Sequence, residues 1–235
     1  EQKPEDVIYF HLTYVPLLRI TGELKTKPTQ HSVQELRRTG IKPHVIGCRS
    51  EVPISKDVRA KIALFCDVDL EHVYSLPDLD TVYKEPLYLD EQGLASQMAK
   101  LWNILPRQAD LTNWKKLVGA YMAPKNTVKI GMIGKYTKLS DAYLSVNEAL
   151  KHAGIATENK VEIEWVDAET LTAPGEVEKL SKYDGLLVPG GFGYRGIEGK
   201  IEAARYAREN KIPYLGLCLG LQVMTIEFAR HVCGL

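Results

Sequence analysis

DGLLVPGGFGYRGIEGKIEAARYARENKIPYLGLCLGLQ, residues 184–222, decides the fold. Its apolar run Leu186–Val188 breaks at Pro189-Gly190-Gly191, and a helical pattern follows over residues 197–210. A second apolar run, IPYLGLC (212–218), ends on a cysteine, and another helical pattern begins at about Leu219. Strand, glycine turn, helix, strand, cysteine turn, helix is the order of consecutive βα units in a parallel sheet.

The pattern extends in both directions. TVKIGMIGKY (127–136) reads as a strand and SDAYLSVNEALKHAG (140–154) as a helix with Ser140 as N-cap. VEIEWVDAE (161–169) is a strand, and EVEKLSKY (176–183) is expected to be helical. Four βα units within about 110 residues predict a doubly wound fold.

Upstream, VIYFHLTYVP (7–16), PHVIGCR (43–49) and HVYSLPD (72–78) read as strands rich in β-branched and aromatic residues. Helices are expected over SVQELRRTG (32–40), SKDVRAKIALFC (55–66) and QGLASQMAKLWNIL (92–105). Ser32-x-x-Glu35 has capping-box spacing, Gly40 supplies a left-handed stop, and Val58, Ile62 and Phe65 fall on one helical face. The whole chain is therefore α/β, in two domains with parallel sheets. Residues 1–105 form the first domain and 127–235 the second. Residues 106–126, where periodicity fades around Trp114 and Tyr121, form a packed linker.

Acidic and basic residues balance at 30 each, so whole-chain charge favours neither nucleic acid nor a membrane surface as partner. No apolar stretch approaches the roughly 20 residues needed to span a bilayer. Cys48, Cys66, Cys218 and Cys233 are widely spaced without a CxxC pair, which suits a reducing compartment and supplies no metal-ligand grouping. The start, EQKPEDVIYF, without Met or signal pattern, and the stop within a helical pattern read as an internal segment.

Cys218 has two readings. A free cysteine at the end of an apolar strand is commonly a small core hydrophobe. Gly216-x-Cys218-x-Gly220 between strand and helix is also the nucleophile-elbow pattern with cysteine for serine. The helix that follows would offer free N–H groups and positive dipole charge to a thiolate and an oxyanion. Gly191-Phe192-Gly193-Tyr194-Arg195-Gly196 formally matches a dinucleotide fingerprint, but Lys211 stands where that fingerprint wants an acid. The other use of this turn is to present backbone amides to the cysteine of the next strand.

GELKTKPTQHS (22–32) sets Lys25 and Lys27 around Thr26, ahead of Pro28, Thr29 and Gln30. It reads either as a solvated basic turn or as a phosphate-binding loop before a helix. No Gly-x4-Gly-Lys-Ser/Thr occurs.

PGGFGYRG followed by PYLGLCLGLQ resembles the class I glutamine amidotransferase domain, in the form found in the CTP synthase family. TGELKTKPTQHSV resembles that family's UTP segment, and the resemblance runs from FHLTYVP to FARHVCGL. It implies a C–N ligase that aminates UTP to CTP, the last step of de novo CTP synthesis, with ATP and with ammonia from glutamine. Cys218 would be the nucleophile, and Gly191, Leu219, Gly220, Leu221 and Gln222 the oxyanion and glutamine-binding positions. Lys25, Thr26, Lys27, Pro28, Thr29 and Gln30, joined by Lys61, would bind UTP and the feedback inhibitor CTP. Pro77, Asp78 and Leu79 match an adenine-contacting stretch for ATP. Arg195 and Glu198 match the site of GTP, the activator of glutamine hydrolysis.

The resemblance further implies magnesium with ATP, no organic redox cofactor, a cytoplasmic homotetramer, and no nucleic-acid or membrane partner. The family's ATP-binding P-loop, its magnesium-binding acids and the His and Glu of the cysteine triad are expected outside residues 1–235. His231 is not that base. Along one helix it lies 13 residues from Cys218, about 20 Å at about 1.5 Å per residue.

Overall fold

The computed structural model describes Lys3 and residues 6–135, 143–191 and 193–235. Two compact units divide between Lys115 and Lys116.

The first unit is built on three parallel strands: β1 (Phe10–Tyr14), β4 (Val45–Ser50) and β5 (Val73–Pro77), in the order β1-β4-β5. The short strands β2 (Leu17–Leu18) and β3 (Glu23–Leu24) form an antiparallel pair beside them. The crossovers are α1 (Lys27–Arg38) and α2 (Lys56–Cys66). Val33, Ile46, Cys48, Ile62, Cys66 and Val73 make the core between helices and sheet. Burying each such aliphatic side chain contributes about 1.5–3 kcal/mol. Helices α3 (Glu85–Glu91) and α4 (Leu94–Leu101) follow β5.

In the second unit β6 (Asn126–Gly134), β7 (Asn159–Asp167), β8 (Gly185–Val188) and β9 (Tyr214–Gly216) are all parallel, in the order β7-β6-β8-β9. Sequential strands to the left and then to the right of β6 are the doubly wound arrangement, with a topological switch point between β6 and β8. All four residues of β8 are buried, and their alternation assigns the two faces. Leu186 and Val188 pack with Ala203 and Ala207 of α7 (Ile197–Asn210). Leu187 packs on the opposite face with Met132 and Tyr143, beside Val146 and Leu150 of α6 (Leu144–Ala156). The last helix, α8 (Leu219–Phe228), starts directly after the cysteine turn.

Several elements differ from the sequence expectations. Helix α1 begins at Lys27, with Pro28 in its first turn, so Ser32 lies inside it and caps nothing. Proline's fixed φ pre-organises a helix start, and this outweighs the capping-box spacing. Ser32 instead meets His11, with Nε2···Oγ at 2.9 Å. On α2 the inward positions are Ile62, Ala63 and Cys66, and Phe65 is exposed. Residues 177–182 form a 3-10 helix rather than an α-helix. Helix α8 passes into a π-helical turn over Ala229–Cys233, which Gly234 ends at φ +68°. The stretch of faded periodicity contains an α-helix, α5 (Thr112–Met122), and the division between the units falls within it. Ser140, read as an N-cap, lies outside the described residues.

Candidate active site and nucleotide loops

Cys218 occupies the turn between β9 and α8 with φ 51° and ψ −106°. For a non-glycine residue this backbone is strained by about 1–3 kcal/mol and persists only where its surroundings impose it. The surroundings here are two glycines. A Cβ on Gly216 would stand 2.5 Å from the carbonyl carbon of Gly220, and one on Gly220 would stand 2.1 Å from the Val188 carbonyl oxygen. Neither glycine has positive φ. They are required for close approach, while the cysteine itself takes the unusual backbone. Hydrogen bonds lock the turn: Leu217 N–H to Val188 O at 2.9 Å, Gly220 N–H to Leu217 O at 2.9 Å, and Tyr214 Oη to Gly220 O at 3.0 Å. The thiol is exposed at the head of α8, where helix N–H groups and dipole favour negative charge.

The glycine turn after β8 meets it. A Cβ on Gly190 would lie 3.4 Å from Cys218 Cβ and 3.9 Å from its Sγ. One on Gly191 would lie 3.7 Å from Leu219 Cδ2 and 3.7 Å from Lys200 Nζ. Thus Gly191, Cys218, Leu219 and Gly220 are brought together at the carboxyl ends of β8 and β9. Gly220 is buried within the turn, whereas Leu221 and Gln222 are exposed on the first turn of α8. Arg195 and Glu198 go to separate partners. Arg195 pairs with Glu169 and donates to the Lys135 carbonyl, and Glu198 pairs with Arg230 at 3.0 Å. His231 meets Glu227 (3.4 Å), whose buried carboxylate is held by Arg208.

Sequence reasoning missed two lysines. Lys135, at the end of β6, is buried and donates through Nζ to the Gly193 carbonyl at 3.0 Å. Lys200 is fully buried with no hydrogen-bond partner for its ammonium. Desolvation, and to a lesser extent the charge of Lys135, lowers its pKa to about 8. The available signal was its place on the apolar stripe of α7, in register with Ala204 and Ala207.

In the first unit Lys25 bonds Glu23 at 2.6 Å, and its N–H reaches the Pro16 carbonyl. The Glu23 carboxyl is held below the usual carboxylate range by the Lys25 hydrogen bond and charge, with a smaller contribution from Lys61. Lys25 is thus the ion-pair partner of Glu23, and Lys61 acts on it only through its charge. Thr26 and Thr29 point inward: Gln30 Nε2 donates to Thr26 Oγ1 (3.1 Å), and Thr29 Oγ1 donates to the Tyr14 carbonyl while accepting from Thr13 (both 3.3 Å). Lys27 and Pro28 open α1.

Pro77, Asp78 and Leu79 follow β5 and line a mostly apolar cavity of about 600 Å³ together with Phe10, Leu12 and Val82. Arg49 fixes its rim, bonding the Leu76 and Pro77 carbonyls and the Asp78 carboxylate at 2.6–3.0 Å. Burial raises the pKa of Glu85, which also lines this cavity. Among the described residues no helix is long and apolar enough to cross a membrane.

Two family models match in tandem, "CTP synthase N-terminus" over residues 1–104 and "Glutamine amidotransferase class-I" over 138–234. Curated CTP synthases match across almost the whole chain. That of Carboxydothermus hydrogenoformans is 54% identical over 98% of this chain and 43% of its own length. Those of Methanocaldococcus jannaschii and Bacillus subtilis are 52% and 50% identical over 98% of this chain and 44% and 43% of theirs. A solved Trypanosoma brucei CTPS glutaminase domain with bound acivicin is 44% identical over 46% of this chain and 42% of that one, with a TM-score of 0.44. The chain spans somewhat under half the length of the curated relatives it matches. With both domain types in their order along one chain, this protein belongs to the CTP synthase family.

Proposed function

We propose that this chain supplies the glutaminase nucleophile and the UTP-positioning loop of a glutamine-hydrolysing CTP synthase. The observation that carries the reading is Cys218, held at φ 51° between two obligatory glycines, against Gly190 and at the head of α8. Its thiolate attacks the carboxamide carbon of glutamine. The carbonyl electron pair moves to oxygen, which the N–H groups of the Gly190-Gly191 turn and of Leu219 are suited to receive. Collapse of the adduct expels ammonia, with a proton delivered to nitrogen, and leaves a glutamyl thioester that water hydrolyses to glutamate. The base is the His of the family's Cys-His-Glu triad, which lies outside residues 1–235.

Ammonia then aminates UTP at the carbon whose oxygen ATP has phosphorylated, giving CTP, ADP and phosphate. Lys25, Lys27 and Lys61 neutralise the triphosphate as point charges. The cavity beside Pro77, Asp78 and Leu79, of a size suited to a flat apolar ring, takes the adenine. Magnesium accompanies the ATP phosphates in the same proposal, held by one or two carboxylates together with those phosphates. GTP at Arg195 and Glu198, a homotetramer in which the lysine loop serves a neighbouring subunit, and a cytoplasmic setting belong to the same proposal.

The test is CTP formation by the full-length protein and its Cys218→Ala variant, with glutamine or ammonia as nitrogen donor. The variant is expected to lose glutamine-driven synthesis and keep ammonia-driven synthesis. Undiminished glutamine-driven synthesis would refute the assignment.

A further inference from the structure

Lys200 stands out as a buried charge without a use in the fold. Its side chain is 0% exposed, and its Nζ has no hydrogen-bond partner. A methionine or leucine would fill the same stripe of α7 without desolvating an ammonium, which costs several kcal/mol when no counter-charge is present. The ammonium is 3.7 Å from where a Cβ of Gly191 would stand, so it backs directly onto the glycine turn that meets Cys218.

Among the described residues no acid is hydrogen-bonded to the Lys200 ammonium. Lys135, from the end of β6, adds a second cation bonded to the Gly193 carbonyl. Arg195, which donates to the Lys135 carbonyl, is itself paired with Glu169. From β9, the Tyr214 hydroxyl is bonded to the Gly220 carbonyl. From α8, the buried Glu227 is claimed by Arg208, two turns further along α7 from Lys200. On α7 itself, Glu198 is paired with Arg230. On the other side of the turn, the Cys218 Sγ lies 3.9 Å from where a Cβ of Gly190 would stand.

A fully buried ammonium without a hydrogen-bond partner, set directly behind the turn that meets Cys218, favours a negative charge in front of that turn. The chemistry proposed above creates one there, first on sulfur and then on the carbonyl oxygen of the adduct. Building on that amidotransferase reading, we propose that Lys200 is a positioning residue of the Cys218 site. Its ammonium lies behind the Gly190-Gly191 backbone and supplies the positive field against which the oxyanion forms. The burial cost is then offset only during catalysis, as expected of an interaction aimed at the transition state.

The pH dependence has a defined sign. With its pKa lowered to about 8, Lys200 is charged below that value and neutral above it. The field is therefore present at neutral pH and lost as pH rises through about 8.

The test compares glutamine-driven kcat/KM across pH in the full-length protein and in Lys200→Met, with ammonia-driven synthesis as the control for folding. The wild-type protein is expected to lose glutamine-driven kcat/KM above pH 8. Lys200→Met should lack that fall and be reduced about 10- to 100-fold at pH 7, mainly in kcat, with ammonia-driven synthesis unchanged. A variant profile of wild-type shape, whether or not scaled down, would overturn the proposal. Should Lys200→Met fail to fold, Lys135→Met serves. Removing the neighbouring cation is expected to move the descending limb to higher pH, and an unmoved limb would overturn the assignment. Cys218→Ala separates the two claims. If it abolishes glutamine-driven synthesis while Lys200→Met keeps the wild-type profile, the nucleophile stands and the lysine assignment falls.

Discussion

At the cysteine turn the conformation is carried by the backbone; at the lysine loop the charged groups are side chains around an ordinary helix start. Cys218 can sit at φ 51° because Gly216 and Gly220 let β9, α8 and the Val188 carbonyl approach within distances that a single Cβ would block. Lys25 is held by its ion pair with the exposed Glu23, while Thr26 and Thr29 tether the loop from inside. The contrast matches the proposed chemistry. A covalent step needs atoms fixed to fractions of an ångström, whereas a triphosphate is held by charges that can adjust to it.

Substitutions should therefore act differently in the two regions. The largest effect is expected from Gly220→Ala, whose methyl would overlap the Val188 carbonyl oxygen at the carboxyl end of β8. A loss of about 4 kcal/mol in urea-induced unfolding of the second unit is expected. An unchanged midpoint would mean that the turn relaxes freely and that the backbone is not the carrier. Lys25→Ala with Lys27→Ala should weaken UTP binding about 10- to 100-fold, or about 1.4–2.7 kcal/mol, with little change in unfolding. Isothermal titration reads the first and denaturation the second. Unaltered UTP affinity would remove the loop from the nucleotide site. Thr29→Val is the mildest. It deletes the hydroxyl bonded to the Tyr14 carbonyl and should cost about 1–2 kcal/mol of stability in the first unit. A larger effect on UTP affinity than on stability would show the hydroxyl to be a ligand-binding group rather than a tether.

The same contrast explains what could be read in advance. The doubly wound unit was legible because β8, β9 and their turns announce themselves locally through apolar runs that end on glycine. The Cys218 elbow was legible for the same reason, since its determinants lie within five residues. Ser32 misled because capping-box spacing also occurs inside helices, and Pro28 was the stronger start signal. Phe65 misled because a two-turn helical face is defined too loosely to choose between it and its neighbours; Ala63 and Cys66 took the inward positions. Residues 112–122 hid a helix because few of their apolar residues reach a core, with Val118 buried among them. Lys200 was the least legible. On paper it is one charge among many on an amphipathic helix, and only packing against Gly191 isolates its ammonium.

The central claim is that the strained cysteine is the nucleophile, and the four thiols allow a direct test. Cys48 and Cys66 are buried, with burial raising both pKa values, that of Cys48 to about 12; Cys218 and Cys233 are exposed. Acid quenching of the full-length protein during turnover of radiolabelled glutamine, followed by peptide mapping, locates any thioester. The account predicts label on the peptide bearing Cys218 and none on that bearing Cys233. Label on Cys233, or turnover without any label at Cys218, would contradict it.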